Sequence, residues 1–405
     1  MLHAVTASVN LGLIRGQLRS LRDAGFLVAA VSGPGDEIEN LYRSEGVAGF
    51  TVPMERGVTP LADLISFWKL WQLMRRFRPQ VTNVGTGKAG LLGGLAARCA
   101  GVPCRVYTLQ GLSFETARGL KRRVMKFAEK VACDSAHLVI CISEGVRKKA
   151  IQQGLVKAER AIVLGSGSSN GVDAAHFAAS DERRRKAQAL RRQLDIPEGA
   201  PVIGFVGRMN SERGVPELVC AFARLRHFWP TLRLLLLGDW ESVDPMPPDM
   251  RGILDTDNRI LWPGHVLDPA PYYHLMDVVC LPSQGEGFPV MILEAQAAAR
   301  PVVATAVSGC TDAIQHGVTG LLVPPDDLDA LTDVLEQVLA DPAQARRLGP
   351  AGRERVQRDF RPEAIWAELA DQYRRLLKAR GQLLPVLQKK EASEVRTADS
   401  RVAAS

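Results

Sequence analysis

The chain reads as an α/β protein built from two doubly wound parallel-sheet domains. Three observations predict this. Apolar, strand-like runs alternate with helical patterns from one end to the other, the pattern of βαβ units. A turn-rich stretch, Gly165-Ser166-Gly167-Ser168-Ser169-Asn170-Gly171-Val172-Asp173, separates two series of such runs. The 405 residues are enough for two domains, each with its own core.

Taken in order, strands are expected near residues 2–7, 26–31, 80–84, 104–108, 137–141 and 161–164, with helices between them. Met1-Leu2-His3-Ala4-Val5-Thr6 makes a short first strand. These elements form a first domain over residues 1–170. A linker region follows over 171–200 and includes a charged helical piece at 180–195. The second domain spans 201–360. Its strands are expected near 202–206, 232–237, 259–262, 278–281, 301–304 and 320–323. Val202-Ile203-Gly204-Phe205-Val206 has apolar residues on both faces, as a strand covered on both sides requires. Helices are expected over 327–340, 343–357 and 362–379. From 384 to 405 the sequence loses apolar periodicity and turns polar and Ala/Ser-rich, so a disordered tail is expected.

Composition narrows the function classes. The chain is 46% hydrophobic, ordinary for a soluble α/β protein. It holds no apolar run of about 18 residues to span a membrane, and no export signal opens it. Its seven cysteines include no Cys-x-x-Cys pair and read as reduced core thiols of a cytoplasmic protein. The seven histidines show no metal-ligand spacing, so no metal is expected. Residues 1–175 carry 23 Lys and Arg against 13 Asp and Glu, a balance of +10, and the rest of the chain carries −3. A basic first domain suits an anionic partner. Its densest clusters are Arg118-Gly119-Leu120-Lys121-Arg122-Arg123-Val124-Met125-Lys126-Phe127 and Phe67-Trp68-Lys69-Leu70-Trp71-Gln72-Leu73-Met74-Arg75-Arg76-Phe77-Arg78. Both interleave basic and large apolar residues. This fits a helix lying on an anionic bilayer, and equally a core-packed helix with a solvated basic face. Nucleic acid is not expected as a partner, since stacking aromatics and any known binding module are missing.

The most informative motif is Glu286-Gly287-Phe288-Pro289-Val290-Met291-Ile292-Leu293-Glu294. Pro289 fits the first turn of a helix, where a missing N–H costs nothing. Glu286 then lies just outside the N-terminus and Glu294 roughly 7–8 Å along the axis. Between them, the free N–H groups near 287–290 offer a seat for phosphate. A nucleotide-sugar has the matching layout of sugar, diphosphate and ribose. A capped amphipathic helix with one exposed Glu explains the spacing as well. Upstream, Arg208 and Arg213 follow the strand ending at Gly207, where open α/β sheets bind ligands. Guanidinium groups grip diphosphate oxygens in pairs, although two solvated loop arginines are a common alternative. Gly85-Thr86-Gly87-Lys88 lacks P-loop spacing, and no Gly-x-Gly-x-x-Gly opens either sheet, which excludes a nucleoside triphosphatase and a nicotinamide dehydrogenase. Lys88 near a helix start is a candidate for an acceptor phosphate. Gly12, in the loop after the first strand, allows close approach of phosphate or acceptor, or serves a tight turn.

On these motifs the chain resembles the family 4 glycosyltransferases, retaining enzymes of the GT-B architecture. The resemblance is carried by Gly204-Phe205-Val206-Gly207-Arg208 with Arg213-Gly214-Val215, by Leu234-Leu235-Leu236-Leu237-Gly238-Asp239, and by Pro263-Gly264-His265-Val266. It continues through Leu281-Pro282-Ser283 into the Glu286 motif, then Arg300-Pro301-Val302-Val303-Ala304-Thr305 and Gly317-Val318-Thr319-Gly320-Leu321-Leu322-Val323. More loosely, Arg15-Gly16-Gln17-Leu18, Lys88-Ala89-Gly90 and Thr108-Leu109-Gln110-Gly111 resemble members that build bacterial surface polysaccharides.

The resemblance implies two Rossmann-like domains facing across a cleft, with the acceptor on the first, nucleotide-sugar on the second, and the 362–379 helix packing back on the first. It implies that Glu286 contacts the transferred sugar, Glu294 the ribose, and Arg208 and Arg213 the phosphates. Gly207, Gly287, Phe288, Pro289, Val290 and Val266 would line the donor site, and Gly12, Arg15, Lys88 and Gln110 the acceptor side. Arg213 stands where the family usually has Lys, and Gln110 where similar enzymes often have His. An amide positions a hydroxyl but takes up no proton. The expected activity is transfer of a hexose or N-acetylhexosamine from a nucleotide-sugar, expected to be a UDP-sugar, to a lipid-linked saccharide. It would serve capsule, exopolysaccharide or lipopolysaccharide synthesis at the cytoplasmic face of an anionic inner membrane, with no cofactor. The alternatives are a sugar-nucleotide epimerase of the same fold and a non-catalytic nucleotide-sugar-binding module.

Overall fold

The computed structural model describes residues 1–382 apart from 56, 58, 116 and 242–246. The tail expected from 384 lies outside the described residues. Two parallel sheets form. The first takes β1 (Leu2–Ala4), β2 (Ala29–Ser32), β3 (Ala48–Thr51), β4 (Val81–Gly85), β5 (Cys104–Leu109), β6 (Leu138–Cys141) and β7 (Ala161–Val163), in the order β3-β2-β1-β4-β5-β6-β7. The second takes β8 (Val202–Val206), β9 (Arg233–Leu237), β10 (Ile260–Gly264), β11 (Val278–Leu281), β12 (Val302–Thr305) and β13 (Leu321–Val323), in the order β10-β9-β8-β11-β12-β13. Each order reverses beside the sheet's first strand, which opens a crevice at the carboxyl ends of β1 and β8.

The second sheet shows why apolar runs become central strands. β8 pairs with β9 in the register Val202↔Arg233 to Val206↔Leu237, and with β11 through Ile203 and Gly204. Leu234, Leu235 and Leu236 are fully buried, as are Val278 to Leu281. Gly204 admits Met276: a Cβ there would lie 2.1 Å from the methionine sulfur. β3 had no counterpart among the expected strands. It is an edge strand on β2, half-exposed along Ala48 to Phe50, so its sequence shows no continuous apolar run. Pro289 is the residue before its helix, Val290–Ala297, with an extended ψ of 103°, so the helix begins one position later than expected.

By internal contacts the chain forms two compact units. One gathers Met1–Tyr107, Asp134–Leu138 and the described residues from Trp366 onward; the other gathers Thr108–Cys133 and Val139–Ile365. In the first unit the Pro362–Ala379 helix supplies a buried network. The Tyr373 hydroxyl accepts from Asn83 Nδ2 at 2.7 Å and lies 3.3 Å from His3 Nε2. Burial pushes the His3 imidazole down to about 3. Trp366 lies over Gly16, whose positive φ of 78° and lack of a side chain leave room for the ring.

The second unit draws in residues 108–133 and 139–170 through tight packing. The Gln110 carbonyl faces Gly287, the Gly145 N–H donates to Asp312 Oδ2 at 2.8 Å, and Phe288 packs beside Gly167 and against Phe360, with the two rings 5.6 Å apart.

Candidate functional site

The site grows from the carboxyl ends of β8, β9 and β11. Gly207 and Gly238 end β8 and β9 at φ of 154° and 142°, and a Cβ on Gly238 would lie 1.8 Å from the Gly207 carbonyl oxygen. Only glycine lets the two strands close so tightly. The loop after Gly207 carries both arginines. Arg208 Nη1 lies 2.6 Å from each oxygen of Glu241, and Asn210 Nδ2 donates to the same carboxylate at 2.7 Å. Asn210 Oδ1 accepts from the Arg213 N–H at 2.9 Å, so one asparagine ties the two arginines together. The Arg208 side chain remains half-exposed, at 53%.

This loop is pinned to the segment after β11. Ser283 Oγ donates to the Glu212 carbonyl at 3.1 Å, and the Gln284 N–H donates to it at 2.9 Å. Gly214, at φ 72°, fits under the Pro282 carbonyl, where a Cβ would meet oxygen at 2.0 Å. The result brings Arg213 Nη1 to 3.5 Å from Glu286 Oε1. The Glu286 side chain is only 8% exposed, and its buried Oε1 has no hydrogen-bond partner. Buried polar atoms ordinarily have a hydrogen-bond partner, so this oxygen, 3.5 Å from a guanidinium, stands out. The Glu286 carbonyl accepts from the Gly309 N–H at 3.2 Å. Cys310 is buried next to them. Burial drives its thiol well above the ordinary range, the Glu286 charge adds to this, and Arg213 opposes it.

Gly287 follows, with the Gln110 carbonyl 1.9 Å from where a Cβ would stand. Phe288 is buried, and Pro289 sets the turn into the Val290–Ala297 helix. Glu294, one turn in, has a separate partner. The Tyr273 hydroxyl, fully buried, donates to Glu294 Oε2 at 2.8 Å. Burial raises the Glu294 carboxyl above its ordinary range, with Asp268 adding to the rise; the Tyr273 hydrogen bond and His176 pull it back. His176 Nε2 lies 3.0 Å from Asp268 Oδ1.

Of the expected site residues, Arg208, Arg213, Gly207, Glu286, Gly287, Phe288, Pro289, Val290, Glu294, Val266 and Gln110 all fall in the second compact unit. Val266 is half-buried against that unit's core. Gly12, Arg15 and Lys88 fall in the other unit. Gly12 and Arg15 are exposed. The Lys88 ammonium lies 2.6 Å from Asp63 Oδ1 and 3.1 Å from Thr59 Oγ1, with its side chain 12% exposed. Sequence reading missed Glu241, Asn210 and Tyr273. Each acts through a partner 21 or more positions away or through a loop turn, which no local pattern announces. Among the described residues, no group of three His, Cys, Asp or Glu is placed to hold a metal ion.

The family model "Glycosyl transferases group 1" matches residues 200–341, and "Glycosyl transferase 4-like domain" matches residues 14–167. The capsular polysaccharide biosynthesis glycosyltransferase CapM of Staphylococcus aureus is 33% identical over 93% of this chain and 97% of its own length. An Escherichia coli UDP-Gal:alpha-D-GlcNAc-diphosphoundecaprenol alpha-1,3-galactosyltransferase is 27% identical over 78% of this chain and 80% of its own. The fold matches that of Anabaena HepE in complex with UDP-glucose, with a TM-score of 0.76 and 19% identity, covering 92% of this chain and 99% of that one. Sucrose-phosphate synthase from Thermosynechococcus elongatus matches with a TM-score of 0.77 at 22% identity, covering 94% of this chain and 100% of that one. With both halves matched by family models and a full-length relative at this identity, the chain belongs to the group 1, family 4-like glycosyltransferases and has their GT-B architecture.

Proposed function

We propose that this glycosyltransferase moves a hexose or N-acetylhexosamine from a UDP-sugar to a lipid-linked saccharide, with retention, in the assembly of a bacterial surface polysaccharide. The observation that carries the reading is the buried Glu286 Oε1, ion-paired to Arg213 but without a hydrogen-bond donor, with Arg208 on the same loop. Glu286 accepts hydrogen bonds from hydroxyls of the transferred sugar and holds its anomeric carbon. Arg213 and Arg208 face the diphosphate, and Arg208 exchanges its exposed pairing with Glu241 for phosphate oxygens. As the bond from the anomeric carbon to the phosphate oxygen breaks, its electron pair stays on the diphosphate, where the guanidinium charges stabilise it; the acceptor hydroxyl oxygen bonds to that carbon on the same face, and its proton passes to the departing phosphate oxygen. That charge needs no resident metal. Glu294, oriented by Tyr273, takes the ribose hydroxyls.

Gln110 positions a hydroxyl but relays no proton. Gly12 and Arg15 serve the acceptor side, and Lys88 reaches an acceptor phosphate only by leaving Asp63. CapM, whose name gives capsular polysaccharide biosynthesis, supports the pathway class. The Escherichia coli relative's name supports the donor and acceptor classes, and HepE's complex supports a uridine donor. No helix among the described residues is long and apolar enough to cross a membrane; we place the reaction on the cytoplasmic face.

The test incubates purified protein with a panel of nucleotide-sugars, with and without membrane lipid extract, and measures nucleoside diphosphate release. Turnover with a UDP-sugar that needs the extract and is lost in Glu294→Ala supports the reading. Interconversion of sugar-nucleotides without diphosphate release turns it to an epimerase, and binding without turnover to a silent module.

A further inference from the structure

Asn210 ties a carboxylate, that of Glu241, to the loop that carries both arginines. Backbone pairing holds this carboxylate in place beyond the ends of β8 and β9. The Met209 N–H donates to the Asp239 carbonyl at 2.8 Å, and the Glu241 N–H donates to the Met209 carbonyl at 3.1 Å. Trp240, between them, packs beside Trp262 with the rings 6.1 Å apart, and Trp262 Nε1 donates to the Gly238 carbonyl at 2.8 Å. The buried Asn210 donates to Glu241 Oε2 at 2.7 Å, while Arg208 Nη1 lies 2.6 Å from both carboxylate oxygens. The two ions differ in freedom. The Glu241 side chain is 11% exposed and that of Arg208 53%. The guanidinium is therefore the partner that leaves, and the carboxylate the one that stays.

We propose that Glu241 is an internal competitor for Arg208, and that it sets how tightly the site holds the donor and, after transfer, the nucleoside diphosphate. The inference deepens the donor reading above and rests on it. An acid built beside a diphosphate seat opposes the ligand by charge, so its place there calls for a task. With the site empty, Glu241 keeps the arginine paired. An incoming diphosphate must displace the carboxylate to win the guanidinium, so its affinity reflects the difference between two ion pairs rather than the full strength of one. An ion pair whose cation is half in water is weak enough to exchange. The carboxylate left behind is not stranded, because Asn210 Nδ2 still donates to it. Once the sugar has moved, Glu241 reclaims Arg208 and hastens departure of the product, a step that sets the turnover of many enzymes.

The test measures UDP binding by calorimetric titration in the wild type, Glu241→Gln, Arg208→Ala and the double variant. An amide at position 241 has the same shape and still accepts from Asn210, but offers Arg208 no charge. Glu241→Gln should tighten UDP roughly tenfold, mainly through slower dissociation in stopped flow. The gain should shrink as salt is added. In transfer assays the donor KM should fall with no rise in kcat. On the Arg208→Ala background the same change should lose most of its effect, since no guanidinium is left to contest. UDP bound equally well or more weakly by Glu241→Gln overturns the proposal; weaker binding would make Glu241 a group that orients Arg208 for phosphate. A tightening of full size on the Arg208→Ala background also overturns it, leaving plain repulsion between Glu241 and the phosphates. If the wild type and every variant fail to bind UDP, the donor reading falls and this inference with it. A wild type that binds UDP, with no tightening in Glu241→Gln, removes the inference alone.

Discussion

Glu294 and Tyr273 make the site's acid–base behaviour testable at single residues. Burial raises the Glu294 carboxyl, so the folded chain holds that proton more tightly than the unfolded one. Stability therefore falls as pH climbs from the ordinary carboxylate value to the raised one, and is flat above it. In Glu294→Gln that slope should vanish from a plot of melting temperature against pH. A carboxylate is the better acceptor for hydroxyls, so on the ribose-binding role proposed for Glu294, UDP affinity should fall as pH drops through the raised value. The Tyr273 hydroxyl favours the carboxylate at 2.8 Å. Tyr273→Phe should move that acid limb to higher pH and weaken UDP binding at neutral pH roughly two- to tenfold, as calorimetric titration would read. An unmoved limb would deny Tyr273 its orienting role. Gly287→Ala tests a steric claim. A methyl 1.9 Å from the Gln110 carbonyl oxygen forces the Glu286 segment to shift, at a cost of about 1–3 kcal/mol. Both melting temperature and transfer should fall, and unchanged values would mean that the loop yields freely.

At the scale of elements, what the sequence disclosed follows burial. β8 and β11 match their expected ranges to the residue because both are apolar runs covered on both faces. β3 was not legible because an edge strand with one half-exposed face, and a glycine within it, shows neither alternation nor a run. The same logic covers the site. Glu286, Glu294, Arg208 and Arg213 are candidates by their spacing after strands, whereas Glu241 and Tyr273 become candidates only through partners folded onto them. The Pro60–Phe77 helix buries Ser66, Leu70 and Met74, yet leaves Leu61, Leu64, Ile65 and Trp68 exposed at i, i+3, i+4 and i+7. A prediction belongs to the last helix. Tyr373→Phe removes the 2.7 Å hydrogen bond from Asn83 Nδ2 to the buried hydroxyl, which should cost about 0.5–1.5 kcal/mol in urea unfolding. A change near zero would mean that the amide finds another acceptor.

For the whole molecule, the division into compact units does not follow the order of the chain, and this is the part sequence reading reaches least. Periodicity counts strands, but it does not say which surfaces they share. The chain from Trp366 groups with Met1–Tyr107. Its helix buries Leu369, Tyr373 and Leu377 at successive intervals of four, a stripe that needs an apolar bed. Ending the chain before Pro362 removes that stripe and uncovers what it packs on. The truncated protein should be insoluble or melt well below the full chain on thermal scanning. A soluble product with an unchanged melting temperature would show that the unit folds without its last helix.

The meeting of Gln110 and Gly287 is backbone against alpha carbon, and so takes no account of which side chain position 110 carries. Side chains as different as glutamine and histidine can therefore stand at that position while the scaffold beneath stays put. A proton-handling group would be gained or shed in one substitution, with catalytic temperament drifting apart from architecture.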